Sequence, residues 1–167
     1  MSVRSAGLDL AEYEALLRAD LVGFAERAFH ELCLETEFLA NWHHRITAAK
    51  LEAVFAGRIR RLIFNEPPSH LKSHLASVTF PAWCLGHRPS LQFLCVSYAQ
   101  DLADKLSRDC RRIMTSDWYQ RLFATRLAPR HQAVSEFETT RQGCRLATSV
   151  GGVLTGRGPT SSSSTTR

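Results

Sequence analysis

The stretch that decides the fold class is Arg61-Leu62-Ile63-Phe64-Asn65-Glu66-Pro67-Pro68-Ser69-His70-Leu71-Lys72-Ser73. Residues 61–65 form a short apolar run that predicts a buried strand, and the Pro-Pro pair after it predicts a loop. From Lys72 to about Leu85 apolar residues return at helical spacing. We therefore expect a strand, a loop and a helix in direct succession.

This order is typical of a Walker A loop, which binds the phosphates of a nucleotide. Such a loop needs backbone N–H groups around the phosphates, a lysine that reaches the β and γ oxygens, and a hydroxyl on Mg²⁺. Lys72 and Ser73 have the required spacing. Glu66 and Leu71 occupy the two glycine positions of the motif, and a side chain at Leu71 resists the positive φ that glycine permits. The alternative is a plain helical turn whose lysine faces solvent.

The sequence on either side predicts further helices and strands. Before the loop, residues 8–34 carry one apolar stripe at helical spacing, and a second helix is expected from Thr47 to Ala56. After it we expect a strand over 91–98, a helix over 101–114, and a pair of strands over 133–139 and 144–150. Strands that alternate with helices predict an α/β fold with a mostly parallel sheet.

Composition narrows the class of protein. The 167 residues, 44% of them hydrophobic, suit one domain with a sizeable core, and a net charge of +5 suits a polyanionic partner without requiring one. The five cysteines have no metal or redox spacing and are interpreted as buried thiols of a reducing cytosol. Neither a signal peptide nor a membrane-spanning apolar stretch is present, so we expect a cytoplasmic chain with no membrane partner.

Residues 61–73 resemble the Walker A region of phage terminase large subunits, the ATPases that package viral DNA. Other segments resemble that family in the family's own order, so that the resemblance covers roughly residues 20–158. These segments are Phe80-Pro81-Ala82-Trp83, Leu94-Cys95-Val96-Ser97-Tyr98, Asp101-Leu102-Ala103, Ser107-Arg108-Asp109, Trp118-Tyr119, Leu122-Phe123 and residues 150–158.

The resemblance implies a P-loop ATPase of the RecA/ASCE type, a three-layer α/β fold with a mostly parallel sheet, here incomplete and preceded by N-terminal helices. We expect a helical lead over residues 1–58 and a P-loop core over 59–158. The implied cofactors are ATP and Mg²⁺. The implied partners are double-stranded viral DNA, a portal, a small terminase subunit and a ring of identical subunits in the cytoplasm of a bacterial host.

The resemblance also implies roles for matching residues. Lys72 would hold the β and γ phosphates, and Ser73 would bind Mg²⁺. Arg157, in a Thr-Gly-Arg-Gly segment, would contact the nucleotide of a neighbouring subunit, or else is an arginine of a surface turn. The other loop residues that would line the nucleotide are Pro68, Ser69, His70 and Leu71.

Two further pairs have alternative interpretations. Trp42-His43 would stack on the adenine, or would be a core tryptophan with a capping histidine. Ser97-Tyr98 closes the predicted second strand and would face the nucleotide or the DNA, since ligands gather at the carboxyl ends of such strands. A packed tyrosine is the alternative there.

Residues 159–167 are expected to be a disordered Ser/Thr tail. The family carries its Walker B strand at this place, with the acids that hold Mg²⁺ and activate water. A family-like continuation, Ala-Asp-Leu-Ile-Ile-Ile-Asp-Asp-Pro in GC-rich codons, reads as this tail when one base is dropped. The tail is therefore interpreted as an out-of-frame Walker B, with the family's nuclease domain absent. We expect an inactive prophage remnant with negligible ATP hydrolysis.

A different class of function stays open. The chain would then be a small basic module that binds DNA, or docks on a terminase or portal, without ATPase activity. Another P-loop ATPase such as a helicase is a weaker alternative, because the order of motifs around Phe80 and around residues 151–158 argues against it.

Overall fold

A computed structural model describes residues 9–67 and 71–150 of the chain. In these residues seven helical segments accompany one sheet of four strands. The helices are α1 (Leu10–Ala19), α2 (Leu21–Leu32), α3 (Trp42–Phe55), a π-helical segment (His74–Thr79), α4 (Phe80–His87), α5 (Gln100–Thr115) and α6 (Asp117–Leu122). The strands are β1 (Gln92–Ser97), β2 (Leu127–Gln132), β3 (Glu136–Thr139) and β4 (Cys144–Ser149).

The sheet is mixed, in the order β1-β4-β3-β2. β1 pairs with β4 in parallel, and the β4–β3 and β3–β2 pairs are antiparallel. The α/β class is therefore confirmed, whereas the prediction of a mostly parallel sheet is wrong for the described strands. The antiparallel pairs arise because β3 and β4 form a hairpin around Gln142, which takes a φ of 65°, and a short hairpin can only join antiparallel strands.

One face of the sheet packs against helices. Phe93 contacts Phe80 of α4 with 6.2 Å between ring centroids, and α5 lies across β1 and β4. The opposite face exposes Leu94 and Val96, which are 54% and 52% accessible. Within the described ranges the chain therefore builds two layers, and the second helical layer expected for a three-layer fold is not seen.

The core lies among α2, α4, α5 and α6. Phe24 and Tyr119 are fully buried at its centre, and the Tyr119 hydroxyl donates to the Ala82 carbonyl at 2.8 Å. The long stripe predicted over residues 8–34 forms two helices, because Asp20 ends α1 and its carboxylate then accepts from the Gly23 N–H at 2.7 Å to begin α2.

The two halves of the predicted strand-loop-helix unit differ in structure. We call residues 59–67 the entry segment and residues 71–87 the loop helix. The entry segment is not a strand, and Ile63 is 88% exposed. The buried strand predicted at residues 61–65 is therefore wrong, since the outer edge of β1 pairs with no described strand and the prolines that follow cannot donate to a ladder.

The remaining elements follow the sequence with shifted ends. β1, α5 and the β3–β4 hairpin lie where they were predicted, whereas α3 begins at Trp42, five residues before the predicted Thr47. The cysteines are all unpaired, and burial raises the pKa of the Cys110 thiol to about 12. Among the described residues, no helix combines the length and apolarity needed to cross a bilayer.

Candidate functional site

Leu71 forms the turn that starts the loop helix. Its φ of 56° lies in the left-handed region, which costs a residue with a Cβ roughly 1–2 kcal/mol. The Leu75 N–H then donates to the Leu71 carbonyl at 2.9 Å, a bond between residues one helical turn apart. The backbone at Leu71 thus adopts a positive φ although its side chain opposes that conformation.

Lys72 folds back across the loop. Its Nζ donates to the Glu66 carbonyl at 3.0 Å and to the Pro67 carbonyl at 3.1 Å. An ammonium group has three donors, so these two contacts fix its position and leave a third N–H for an anion. The alternative of a plain helical turn requires a lysine that extends into solvent. Lys72 instead lies across the loop, so the structure does not support that alternative.

The start of the loop helix offers further donors. The N–H groups of Lys72, Ser73 and His74 precede the Leu75 bond, so they have no carbonyl partner among the described residues of the helix. The Ser73 side chain is exposed beside them. A helix start with orphan N–H groups, a nearby ammonium and a hydroxyl has the donor set that binds a phosphate and its metal ion.

Glu66 ties the loop to α3. The Thr47 hydroxyl donates to Glu66 Oε1 at 2.6 Å, and Oε2 is buried without a hydrogen-bond partner among the described residues. The carboxylate is thus turned toward α3. Glu66 therefore anchors the end of the entry segment to α3.

A cavity of about 420 Å³ lies beside the loop helix, between α2 and α5. Its wall includes His74, whose Nε2 donates to the Ala25 carbonyl at 3.1 Å and whose ring meets Phe29 at 5.5 Å. Burial lowers the pKa of His74 below its ordinary value, so the imidazole is neutral at pH 7. The rim carries the ion pair of Lys105 with Asp109, 2.8 Å apart.

The predicted site residues divide into described and undescribed positions. Leu71, Lys72 and Ser73 lie together at the start of the loop helix. Pro68, Ser69, His70 and Arg157 lie outside the described residues. In the described part of the chain, no group of three or more His, Cys, Asp or Glu residues could hold a metal ion.

The aromatic residue of each ambiguous pair, Trp42 and Tyr98, lies at the surface. Trp42 begins α3 and is 70% exposed, so its interpretation as a core tryptophan is wrong. Tyr98 follows β1 and is 82% exposed, which excludes a packed tyrosine. Neither exposure identifies a ligand, and contacts with adenine or DNA stay predictions.

Two residues that sequence reasoning missed support the site. Thr47 was placed at a helix start with no partner, although it holds Glu66. Arg145 in β4 is fully buried and donates to the Ser77 carbonyl of the π-helical segment at 2.9 Å. No local pattern signals such an arginine, because inward positions of a strand are expected to be apolar.

The chain was compared with protein-family models, with curated proteins and with solved structures. No protein-family model, no curated protein and no solved structure matches the chain.

Proposed function

We propose that residues 66–73 form a Walker A-type loop that binds the phosphates of ATP with Mg²⁺, in a chain descended from phage terminase large subunits. The observation that carries this proposal is the joint geometry of Leu71 and Lys72. The first takes the left-handed conformation that the motif requires, and the second lies across the loop carbonyls at 3.0 and 3.1 Å.

The proposal has definite parts. Lys72 contacts the β and γ phosphates, and Ser73 with the phosphates binds Mg²⁺. The P-loop ATPase fold, the role of Arg157 at a neighbouring subunit, the ring of subunits, the portal, the small subunit and the host cytoplasm belong to the same proposal through family descent. The ancestral role is ATP-driven packaging of double-stranded viral DNA.

We propose binding without turnover. Hydrolysis needs a carboxylate near the Mg²⁺ and another that orients the attacking water. Asp109, which lines the cavity beside Lys72 and Ser73, is paired with Lys105 at 2.8 Å. Glu66 is engaged by Thr47 and turned toward α3.

A titration with a fluorescent ATP analogue and Mg²⁺ tests the binding. We expect saturable binding, at least about tenfold weaker in Lys72→Ala because one charged contact to phosphate is lost. Lys50→Ala is the matched control, since Lys50 is exposed on α3 and forms no ion pair with any described residue. Equal affinity of Lys72→Ala and the wild type would contradict the proposed binding site. Phosphate release at rates typical of an ATPase would contradict the proposal that ATP is bound without being hydrolysed.

A second candidate function is a basic module that binds DNA, and a specific charge distribution favours it. Residues 41–61 hold five Lys or Arg residues and one acid, a net charge of +4 in a chain of +5. Arg58, Arg60 and Arg61, which follow the end of α3, are exposed and form no ion pair within the described residues. Arg45 counts for less, because it shares a groove with Asp20 and Glu26.

Salt-dependent fluorescence anisotropy with a duplex oligonucleotide tests this candidate. If the basic loop binds phosphates, the triple change of Arg58, Arg60 and Arg61 to Ala lowers affinity and reduces the slope of log K against log salt by about 3. Lys72→Ala should leave DNA binding unchanged. A triple variant with the wild-type affinity and salt slope would exclude this surface.

A further inference from the structure

Pro81 creates a conflict inside the loop helix. In an α-helix the N–H of each residue donates to the carbonyl four residues earlier, so Pro81 cannot donate to Ser77, and its ring crowds that carbonyl. The helix responds by widening over His74–Thr79, where the Phe80 N–H donates to the Leu75 carbonyl five residues earlier. The Thr79 hydroxyl also donates to the carbonyls of His74 and Leu75, at 3.0 and 3.1 Å.

Arg145 donates a hydrogen bond to the Ser77 carbonyl, to which Pro81 cannot donate. Its Nη2 donates to Ser77 O at 2.9 Å, although the two residues are 68 positions apart in the sequence. The Arg145 side chain is fully buried, and its Nε and Nη1 have no hydrogen-bond partner among the described residues, although the Cys95 thiol lies close enough to the guanidinium to interact with it. It also forms no ion pair with a described carboxylate.

A guanidinium buried in this way is unfavourable for stability. Moving a cation out of water without a counter-ion costs several kcal/mol, and an apolar side chain of similar size often makes the protein more stable. Stability of the fold therefore does not account for an arginine at this position, and its contact with Ser77 calls for another explanation. Ser77 lies one helical turn after Ser73 in the same helix. The contact with Arg145 therefore restrains the turn that directly follows Lys72 and Ser73.

We propose that Arg145 is a positioning residue that substitutes for the hydrogen bond missing at Pro81, and thereby fixes the π-helical segment and the orientation of the Lys72-Ser73 turn. Its link to nucleotide binding rests on the proposed function. The sheet then controls the start of the loop helix through one bond from β4. Loss of that bond loosens residues 74–79 without unfolding the core.

A double-mutant cycle tests the proposal. Pro81→Ala restores an N–H that can donate to Ser77, so it should make Arg145 dispensable. We expect Arg145→Met alone to speed amide exchange over residues 74–79 and to weaken binding of the fluorescent ATP analogue about tenfold, within the range of interaction energies between residues that share a partner. Arg145→Met with Pro81→Ala should restore both the protection and the affinity.

Global unfolding in urea separates positioning from support of the fold. Under the proposal, the midpoint of Arg145→Met is unchanged or higher while local protection and affinity fall, and Arg145→Lys keeps part of both through its own donor. The proposal is overturned if Arg145→Met changes amide exchange and nucleotide affinity equally with and without Pro81→Ala. It is also overturned if Arg145→Met lowers both the urea midpoint and the affinity and Pro81→Ala restores neither.

Failure of the proposed function gives a different pattern. If the wild type does not bind the nucleotide, the amide-exchange cycle still decides whether Arg145 and Pro81 are coupled. If Arg145→Met does not fold, the same cycle is run with Arg145→Lys, and absence of rescue by Pro81→Ala there overturns the proposal.

Discussion

The loop helix and the entry segment both contain apolar runs, but the two segments differ in burial. Leu75, Val78 and Leu85 of the loop helix are at most 1% exposed, and other parts of the chain donate to its carbonyls at Ser77, Ala82 and Leu85. In the entry segment Ile63 is 88% exposed, and Leu62 is only half-buried. The difference teaches that an apolar run is buried only where a neighbouring element offers a surface.

The largest expected effect comes from truncating one leucine or isoleucine in each region. Leu75→Ala should lower the free energy of unfolding by about 2–5 kcal/mol, because it leaves a cavity in the core. Ile63→Ala should change it by less than about 0.5 kcal/mol, as an exposed substitution does. Urea unfolding followed by circular dichroism measures both. Similar losses for the two variants would mean that the entry segment is packed in solution.

The next effect concerns the bond that joins the entry segment to α3. Thr47→Val keeps the shape of the side chain but removes the donor to Glu66 Oε1, leaving a half-buried carboxylate without that partner. We expect a loss of about 1–2 kcal/mol in urea unfolding. Combining Thr47→Val with Glu66→Leu should cost less than Thr47→Val alone. An additional loss in the double variant would contradict the role given to this bond.

A smaller effect distinguishes the conformation of Leu71 from its packing. Leu71→Gly and Leu71→Ala both remove the isopropyl group of leucine, so they differ mainly in how readily the backbone adopts a φ of 56°. We expect Gly to be more stable than Ala by about 1 kcal/mol, the reverse of their order inside a helix. Thermal unfolding compares the two variants. A more stable Ala variant would show that residue 71 is right-handed in solution.

The smallest expected effect is a pH dependence from His74. Burial lowers its pKa in the folded state below 6.5, partly offset by the bond to Ala25. Stability is therefore constant above pH 6.5 and decreases as the pH falls through 6.5, until the folded-state pKa is passed. His74→Gln should reduce the decrease in urea midpoint between pH 7.5 and 5.5. His30→Gln, a change at an exposed position of α2, is the matched control.

The helices and strands that the sequence predicted correctly are those whose own residue pattern marks a buried face. β1 was predicted from the β-branched and aromatic run over 91–98, and α5 from the helical stripe that includes Leu106, Cys110 and Ile113, which is buried in the structure. The hairpin was found from the turn at Gln142. α6 and β2 were missed, since six-residue elements rich in polar residues carry little periodicity.

The site was predictable in part for a similar reason. The spacing of Lys72 and Ser73 is a local signal, and it located the turn correctly. The conformation of Leu71 depends on how the loop helix packs, which its own side chain does not encode. Arg145 and Ser77 are brought together by the parallel pairing of β1 with β4, and no single-sequence pattern contains that pairing.

The free outer edge of β1 has a consequence for the protein at high concentration. Leu94 and Val96 lie on its open face, and no described strand covers the backbone donors and acceptors of that edge. Such an edge is a template on which another polypeptide can form hydrogen bonds and bury apolar side chains. Light scattering of this protein should therefore rise with concentration, and a lysine at position 94 should suppress that rise without disturbing the loop on the far side of the sheet.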